Sequence, residues 1–221
     1  MLSPAAVIRD IDIIYRSVYN TTVDEKSGVK QTIIDKALEP FSAKGYEGVS
    51  VLELSEAAGI TKPTLYYYFG SKEGVFEAVS EFHYAKLNAL VSRNAVYHPR
   101  PKSYHEDIFL VLTKLTAAYF SFARANEAFY RMTMANLSMP NSSPVFAIVK
   151  KYHFTQYDII EGMFRSMART HGNLREKSNT LTWSFIGTIN SYISLYFSGI
   201  RALNDKAARD LVHQFMHGIY A

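Results

Sequence analysis

The sequence predicts an all-α protein, with an N-terminal three-helix helix-turn-helix domain followed by a larger helical domain. Three observations carry this. Apolar residues recur at helical spacing along nearly the whole 221-residue chain. Alternating strand-like runs bounded by turn residues are absent. Two short helical stretches also meet at Gly59, where Ala57 and Ala58 permit close approach, which is the make-up of a helix-turn-helix.

Taken in order, residues 5–19 form an amphipathic stretch through Val7, Ile8, Ile11, Ile14, Tyr15 and Val18, followed by the polar run Asn20–Gly28. Together they read as an appended helix and linker, residues 1–28. The next helix spans about Val29 to Lys44, burying Ile33, Ile34, Ala37, Leu38 and Phe41, with Gly45 placed for a left-handed cap. Pro40 lies inside it and predicts a kink or break near Lys36–Pro40, since proline removes a donor and crowds the preceding turn. Ser50-Val51-Leu52-Glu53 reads as a capping box opening a helix over 51–58. Thr61 is an N-cap for a helix over 62–69, whose first turn tolerates Pro63. Gly70 breaks that helix, and Ser71 caps a long one from Lys72 to about Asn94. Beyond the loop His98-Pro99-Arg100-Pro101, helices are expected near 103–124, 126–137, 145–170, 175–202 and 205–219.

Composition removes several classes of function. Without cysteine there is no disulfide framework, zinc–thiolate site or thiol nucleophile. No phosphate-cradling glycine loop, HExxH or GxSxG occurs, and Asp158 and Glu161 share a helix face of salt-bridge type, so an enzyme is not expected and no cofactor is implied. His213 and His217 stand four apart but lack a third ligand nearby, which favours surface histidines over a metal site. The N-terminus has no basic region, and Arg9, Asp10 and Asp12 interrupt its apolar stretch, which argues against a signal peptide and for a cytoplasmic protein. Ser178–Ile200 is uncharged over 23 residues, yet ten of them are Ser, Thr or Asn, which suits a helix packed among protein helices better than a membrane span.

The formal charge of +4 is not concentrated where a duplex would bind: residues 1–28, 29–95 and 96–221 sum to −1, −1 and +6. The case for DNA therefore rests on placed residues. A helix-turn-helix lays its second helix in the major groove. On helix 62–69, Leu65 and Phe69 face inward toward Leu54, Ala58, Ile60, Ile33 and Phe41, leaving Lys62, Thr64, Tyr66 and Tyr67 outward. Lysine can donate to guanine, threonine can offer a methyl or hydroxyl, and tyrosine hydroxyls donate to phosphate oxygens.

Residues 30–80 resemble the N-terminal DNA-binding domain of the tetracycline-repressor (TetR) family of bacterial regulators. The matching elements are Phe41, Lys44-Gly45-Tyr46, Ser50, Ala57-Ala58-Gly59-Ile60, Thr61-Lys62, Leu65-Tyr66-Tyr67-Tyr68-Phe69 and Ser71-Lys72-Glu73. The resemblance implies a homodimer on a palindromic operator, controlled by a small molecule bound in a helical C-terminal domain that also dimerises. It implies a DNA-binding domain over 29–76 and an effector-binding and dimerisation domain over 77–221. Carried over by residue, Lys62, Pro63, Thr64 and Tyr66 would touch bases or sugars, Tyr67, Tyr68 and Lys72 would touch phosphates, and Ser50 would start the supporting helix beside the backbone. Val51 and Leu52 depart from the polar or basic residues that many members carry there, as Pro40 departs from an apolar one.

The second half is rich in aromatic residues and methionine. Tyr119, Phe122, Phe129, Met132, Tyr157, Met163, Met167 and Trp183 are candidates to line an effector cavity suited to an apolar or aromatic molecule, although each also suits plain core packing. Ser184, Gly187, Ser191 and Ser194 form a small-residue stripe, with Tyr192 beside it, and Leu211 and Phe215 follow on the last helix. These residues are expected at the homodimer interface. Two alternatives stay open: an activator of the same fold, and a helical carrier of aromatic or lipid-like ligands that does not bind DNA.

Overall fold

The structure, a computed structural model, describes residues 25–99, 104–137, 139–140 and 142–218, so the helix expected over 5–19 lies outside the described residues. Those residues are helical and contain no strand. In chain order the helices are α1 (Glu25–Lys44), α2 (Val51–Ala58), α3 (Lys62–Phe69), α4 (Lys72–Asn94), α5 (Tyr104–Ala125), α6 (Glu127–Leu137), α7 (Pro144–His153), α8 (Thr155–Thr170), α9 (Ser178–Phe197) and α10 (Asp205–His217). A 3₁₀ turn, Gly172–Leu174, joins α8 to the loop before α9.

Two expectations are corrected. Helix α1 runs unbroken past Pro40 to Lys44. The proline φ is itself helical, and burial of Ala37 and Phe41 holds the turns on either side of it. The helix expected over 145–170 is two helices separated at Phe154. There the amide of Phe154 reaches the Lys150 carbonyl at only 3.5 Å.

The chain divides into two compact units. The first comprises residues 25–86 and Asn126–Phe154, so α6 and α7 join the helix-turn-helix rather than the rest of the second half. Its core is Ile33, Ala37, Phe41, Leu54, Leu65, Val75, Phe76 and Val79, with Phe41, Tyr46 and Phe76 in mutual ring contact. Glu77 on α4 accepts from Lys151 at 2.9 Å and from the Tyr152 hydroxyl at 3.1 Å, tying α7 to α4. Deeper in the unit, His83 stacks on Phe129, and the Tyr84 hydroxyl lies 3.1 Å from His153 Nδ1.

The second unit comprises Leu87–Ala125 and residues 155–218. Leu112, Leu115, Phe120, Ile160, Phe164, Phe185, Ile189 and Ile193 form its core. Three polar links cross it. Tyr119 donates to Gln156 at 2.7 Å, Arg124 donates to the Leu203 carbonyl, and the buried Tyr97 hydroxyl lies 2.7 Å from both Asp107 and His171. Asp107–Ala125 is long and apolar enough to cross a membrane by length and composition, but Ile108, Leu112, Leu115, Tyr119 and Phe120 within it are core residues of this unit.

Burial pushes both His83 and His153 down to about 4, with the Lys86 charge adding to the effect at His83. In the unfolded chain an imidazole takes its proton near pH 6.5. The folded-state values are depressed, so stability is complete above about pH 6.5 and is lost progressively as pH falls toward about 4. Urea unfolding followed by helical circular dichroism should show a loss of about 2 kcal/mol per histidine between about pH 7 and pH 5. His83→Phe should lose about half as much as the parent between those two pH values, the rest coming from His153, and a fall equal to the parent's would exclude His83 as a source.

Candidate nucleic-acid interface

Helix α3 has eight residues, too few to persist alone in water, so its neighbours must hold it in place. Leu65 provides the hold: it is fully buried, in the same core as Ile33, Phe41 and Leu54. The N-terminal end is closed by Thr61, whose hydroxyl accepts from the Thr64 amide at 3.4 Å and lies 2.9 Å from the Thr64 hydroxyl. Pro63 sits in the first turn, where its missing amide costs nothing. The turn entering α3 depends on Gly59, at φ 66°, whose amide reaches the Glu56 carbonyl. At the exit, Gly74 is obligatory for a different reason: a Cβ there would stand 2.0 Å from the Phe69 carbonyl oxygen.

With Leu65 turned in, the opposite face is presented to solvent. Lys62 and Pro63 are exposed, Tyr66 is 49% exposed and Tyr67 71%. Tyr68 is half-buried, with its ring 5.1 Å from that of Tyr67 in an edge contact. Thr64 is also half-buried, and its hydroxyl pairs with Thr61, so the side chain offers mainly its methyl. Phe69 is half-buried rather than fully inward, with the Lys30 ammonium 5.8 Å from its ring centre.

The supporting helix α2 starts at Ser50, which is exposed and accepts from the Glu53 amide at 3.1 Å. Only half of the expected capping box forms. The Glu53 carboxylate takes Lys44 Nζ at 2.7 Å instead of returning to the Ser50 amide. Leu52 on the same helix is exposed, an apolar side chain at the rim of the reading face.

Lys72, expected at a phosphate, is engaged by its own domain. Its ammonium donates to the carbonyls of Tyr46 (3.0 Å) and Val49 (3.1 Å) and lies 4.1 Å from the centre of the Tyr46 ring. It therefore pins the α1–α2 loop to the start of α4 and leaves one donor for an outside partner.

Residues 33–79 match the model of the bacterial regulatory proteins of the tetR family. This stretch is a TetR-family domain. Curated relatives include the biofilm operon negative regulator IcaR of Staphylococcus aureus, 35% identical over 66 residues, and the repressor AcnR of Corynebacterium glutamicum, 33% identical over 73 residues. The alignments cover 30% and 33% of this chain and 36% and 39% of those proteins, so the chain matches little more than a third of their length. Solved structures extend the TetR likeness over most of the chain as a fold. The TetR-family regulator PfmR of Thermus thermophilus has a TM-score of 0.65 at 21% identity, covering 86% of this chain and 99% of its own. FadR of Bacillus subtilis, solved with stearoyl-CoA, has a TM-score of 0.71 at 16% identity, with the same coverage. AibR, solved with isovaleryl coenzyme A and operator DNA, has a TM-score of 0.63 at 19% identity, covering 84% and 97%.

The eight effector candidates do not form one cluster within a unit. Phe129 and Met132 are buried in the first unit, while Tyr119, Phe122, Met163 and Met167 are buried in the second. Tyr157 is half-buried and Trp183 is 50% exposed, their rings 4.4 Å apart. Of the interface candidates, Ser184, Gly187, Ser191 and Ser194 are exposed along α9, and Tyr192 is half-buried beside them. Leu211 corrects the expectation: it is fully buried within its own chain and is not free to meet a second subunit. Phe215 is half-buried, its ring packed on Phe185 and Phe164. The periodicity of α10 marked an apolar face but not what covers it.

A residue the sequence reading passed over is His83. It is buried with neither ring nitrogen hydrogen-bonded, and the Ser80 and Thr133 hydroxyls of the same unit are likewise unpaired. An unpaired buried polar group is costly, and such a group is commonly a contact waiting for a ligand or water.

Lys72→Met keeps the stem but removes two charge-assisted hydrogen bonds. The expected loss is about 1–3 kcal/mol in urea unfolding, with faster amide exchange across Tyr46–Leu54. Exchange that stays unchanged in that segment would dissociate Lys72 from its support.

Proposed function

We propose that this protein is a sequence-specific DNA-binding transcriptional regulator, a homodimeric repressor released from a palindromic operator by a small-molecule effector. The observation that carries the reading is the display of Lys62, Pro63, Tyr66 and Tyr67 on the outer side of a capped helix whose inner side is anchored by Leu65. In the major groove, Lys62 donates to guanine O6 or N7, and Pro63, Thr64 and Tyr66 contact base edges and sugars. Tyr67, Tyr68 and Ser50 donate hydroxyls to phosphates, and Lys72 offers its remaining donor.

Dimerisation is assigned to the outer face of α9, where Ser184, Gly187, Ser191 and Ser194 would let two helices approach closely. Its role is geometric, since two reading heads one helical turn apart match a palindrome. An effector that favours one spacing of the heads over another shifts the population between DNA-competent and incompetent states. Helix α4 is common to both units and would carry the change. The unpaired nitrogens of His83 and the hydroxyls of Ser80 and Thr133 supply polar anchors for an otherwise apolar effector, with Phe129 and Met132 as its greasy wall. The acyl-CoA ligands of FadR and AibR belong to that amphipathic class.

A mobility-shift assay on fragments upstream of its own gene tests the reading. Lys62→Ala and Tyr66→Ala should each cost about 1–3 kcal/mol on the selected operator, while Tyr67→Phe should weaken binding evenly across sequences. No shift with any fragment would favour a ligand carrier, and a shift coupled to raised transcription would make the protein an activator.

A further inference from the structure

The last turns of α8 and the first turn of α9 stand side by side in the second unit, joined through the 3₁₀ turn and held by the contact of Asn179 with Glu161 at 3.4 Å. Between them lies a surface groove of about 540 Å³ whose lining includes Arg165, Arg169, Arg175, Glu176, Ser178 and Asn179. Two turn hydrogen bonds shape its rim: the Arg175 amide donates to the Gly172 carbonyl and the Lys177 amide to the Leu174 carbonyl, each at 3.2 Å. With Glu176 at φ 63° between them, they fold the chain back so that Arg175 and the start of α9 border one groove.

We propose that this groove binds a phosphate group, its oxygens shared among the Ser178 hydroxyl, the open amides of α9 and the guanidinium groups of Arg169 and Arg175. The claim is separate from DNA binding and uses none of the reading-face residues. Its donors stand ready. No side chain caps the 20-residue helix α9, so the amides of its first turn have no acceptor within the helix, and the aligned peptide dipoles favour an anion there. Ser178, the first residue of α9, is only 9% exposed and lines the groove, yet its hydroxyl makes no hydrogen bond; only its backbone carbonyl is engaged, by Thr182. A hydroxyl taken from water and left unpaired is costly, and an oxygen of the bound group would satisfy it. Arg169 and Arg175 form no ion pair among the described residues, while Arg165 and Glu161 neutralise each other at 2.6 Å. Glu176 is exposed, so water screens the remaining carboxylate. Two free guanidinium forks, a hydroxyl and a row of amides supply more donors than the two oxygens of a carboxylate can accept, and they suit the several oxygens of a phosphate.

The full-length protein, labelled with nitrogen-15, is titrated with inorganic phosphate at constant ionic strength, with chloride as the balancing anion. The pH is held at about 7.5, where phosphate carries close to two charges. The Ser178 and Asn179 amide resonances should shift saturably with phosphate and stay in place with chloride alone. Ser178→Ala should weaken phosphate binding by about three- to tenfold, and Arg169→Ala/Arg175→Ala by about tenfold or more. Both arginines are exposed and the Ser178 hydroxyl holds nothing in place, so both variants should retain helical circular dichroism. Glycerol 3-phosphate binding at least as tightly as inorganic phosphate identifies a phosphate ester as the ligand class, and weaker binding of the ester identifies the free ion. Absence of a saturable shift with either compound, or unchanged phosphate affinity in either variant, overturns the proposal.

Discussion

The burial of one leucine orients the surface on which recognition depends. An eight-residue helix gains too few hydrogen bonds to repay its own nucleation, so α3 exists because Leu65 enters the core shared by Ile33, Phe41 and Leu54. Once that side chain is fixed, 100° per residue dictates the rest: Tyr66 and Tyr67 turn outward, and Tyr68 and Phe69 lie along the flank. Thr61 and Gly59 set where the helix begins, and Gly74 allows α4 to start directly against the Phe69 carbonyl. Position and exposure of the reading face follow from packing and capping, without any requirement on the exposed side chains themselves.

The first unit also contains polar groups that packing alone does not explain. His83 is stacked on Phe129 yet lacks hydrogen-bond partners at both nitrogens, whereas His153 is held by Tyr84. Burial keeps both rings neutral near pH 7. The second unit handles its polar interior differently: Tyr97 joins Asp107 and His171 through one hydroxyl, so that a carboxylate and an imidazole share a common partner away from water.

Local chemistry made the helix-turn-helix legible in the sequence. Glycine at positive φ, threonine and serine caps and an inward leucine each act within a few residues, and the boundaries of α2, α3 and α4 follow from them. What could not be read depended on distant partners. Nothing within 145–170 announces a break at Phe154, because neither glycine nor proline marks it. Glu53 abandons its capping role because Lys44, nine residues earlier, lies within reach. Leu211 has the spacing of an interface, but its own chain buries it completely. His83 carried no signal, since an unpaired interior imidazole looks like any other histidine until its surroundings are known.

The engagement of Lys72 with backbone carbonyls bears on how this surface would respond to its ionic surroundings. The partners of Lys72 are uncharged, so the ammonium keeps its charge but is held in place, and with Lys62 it is one of two cations beside neutral hydroxyls on this surface. Few condensed counterions would then be displaced from the duplex per reading head, and the slope of affinity against salt concentration would be shallow for a regulator of this kind. Discrimination would rest on hydrogen-bond pattern and groove fit, which persist as ionic strength rises and long-range attraction fades.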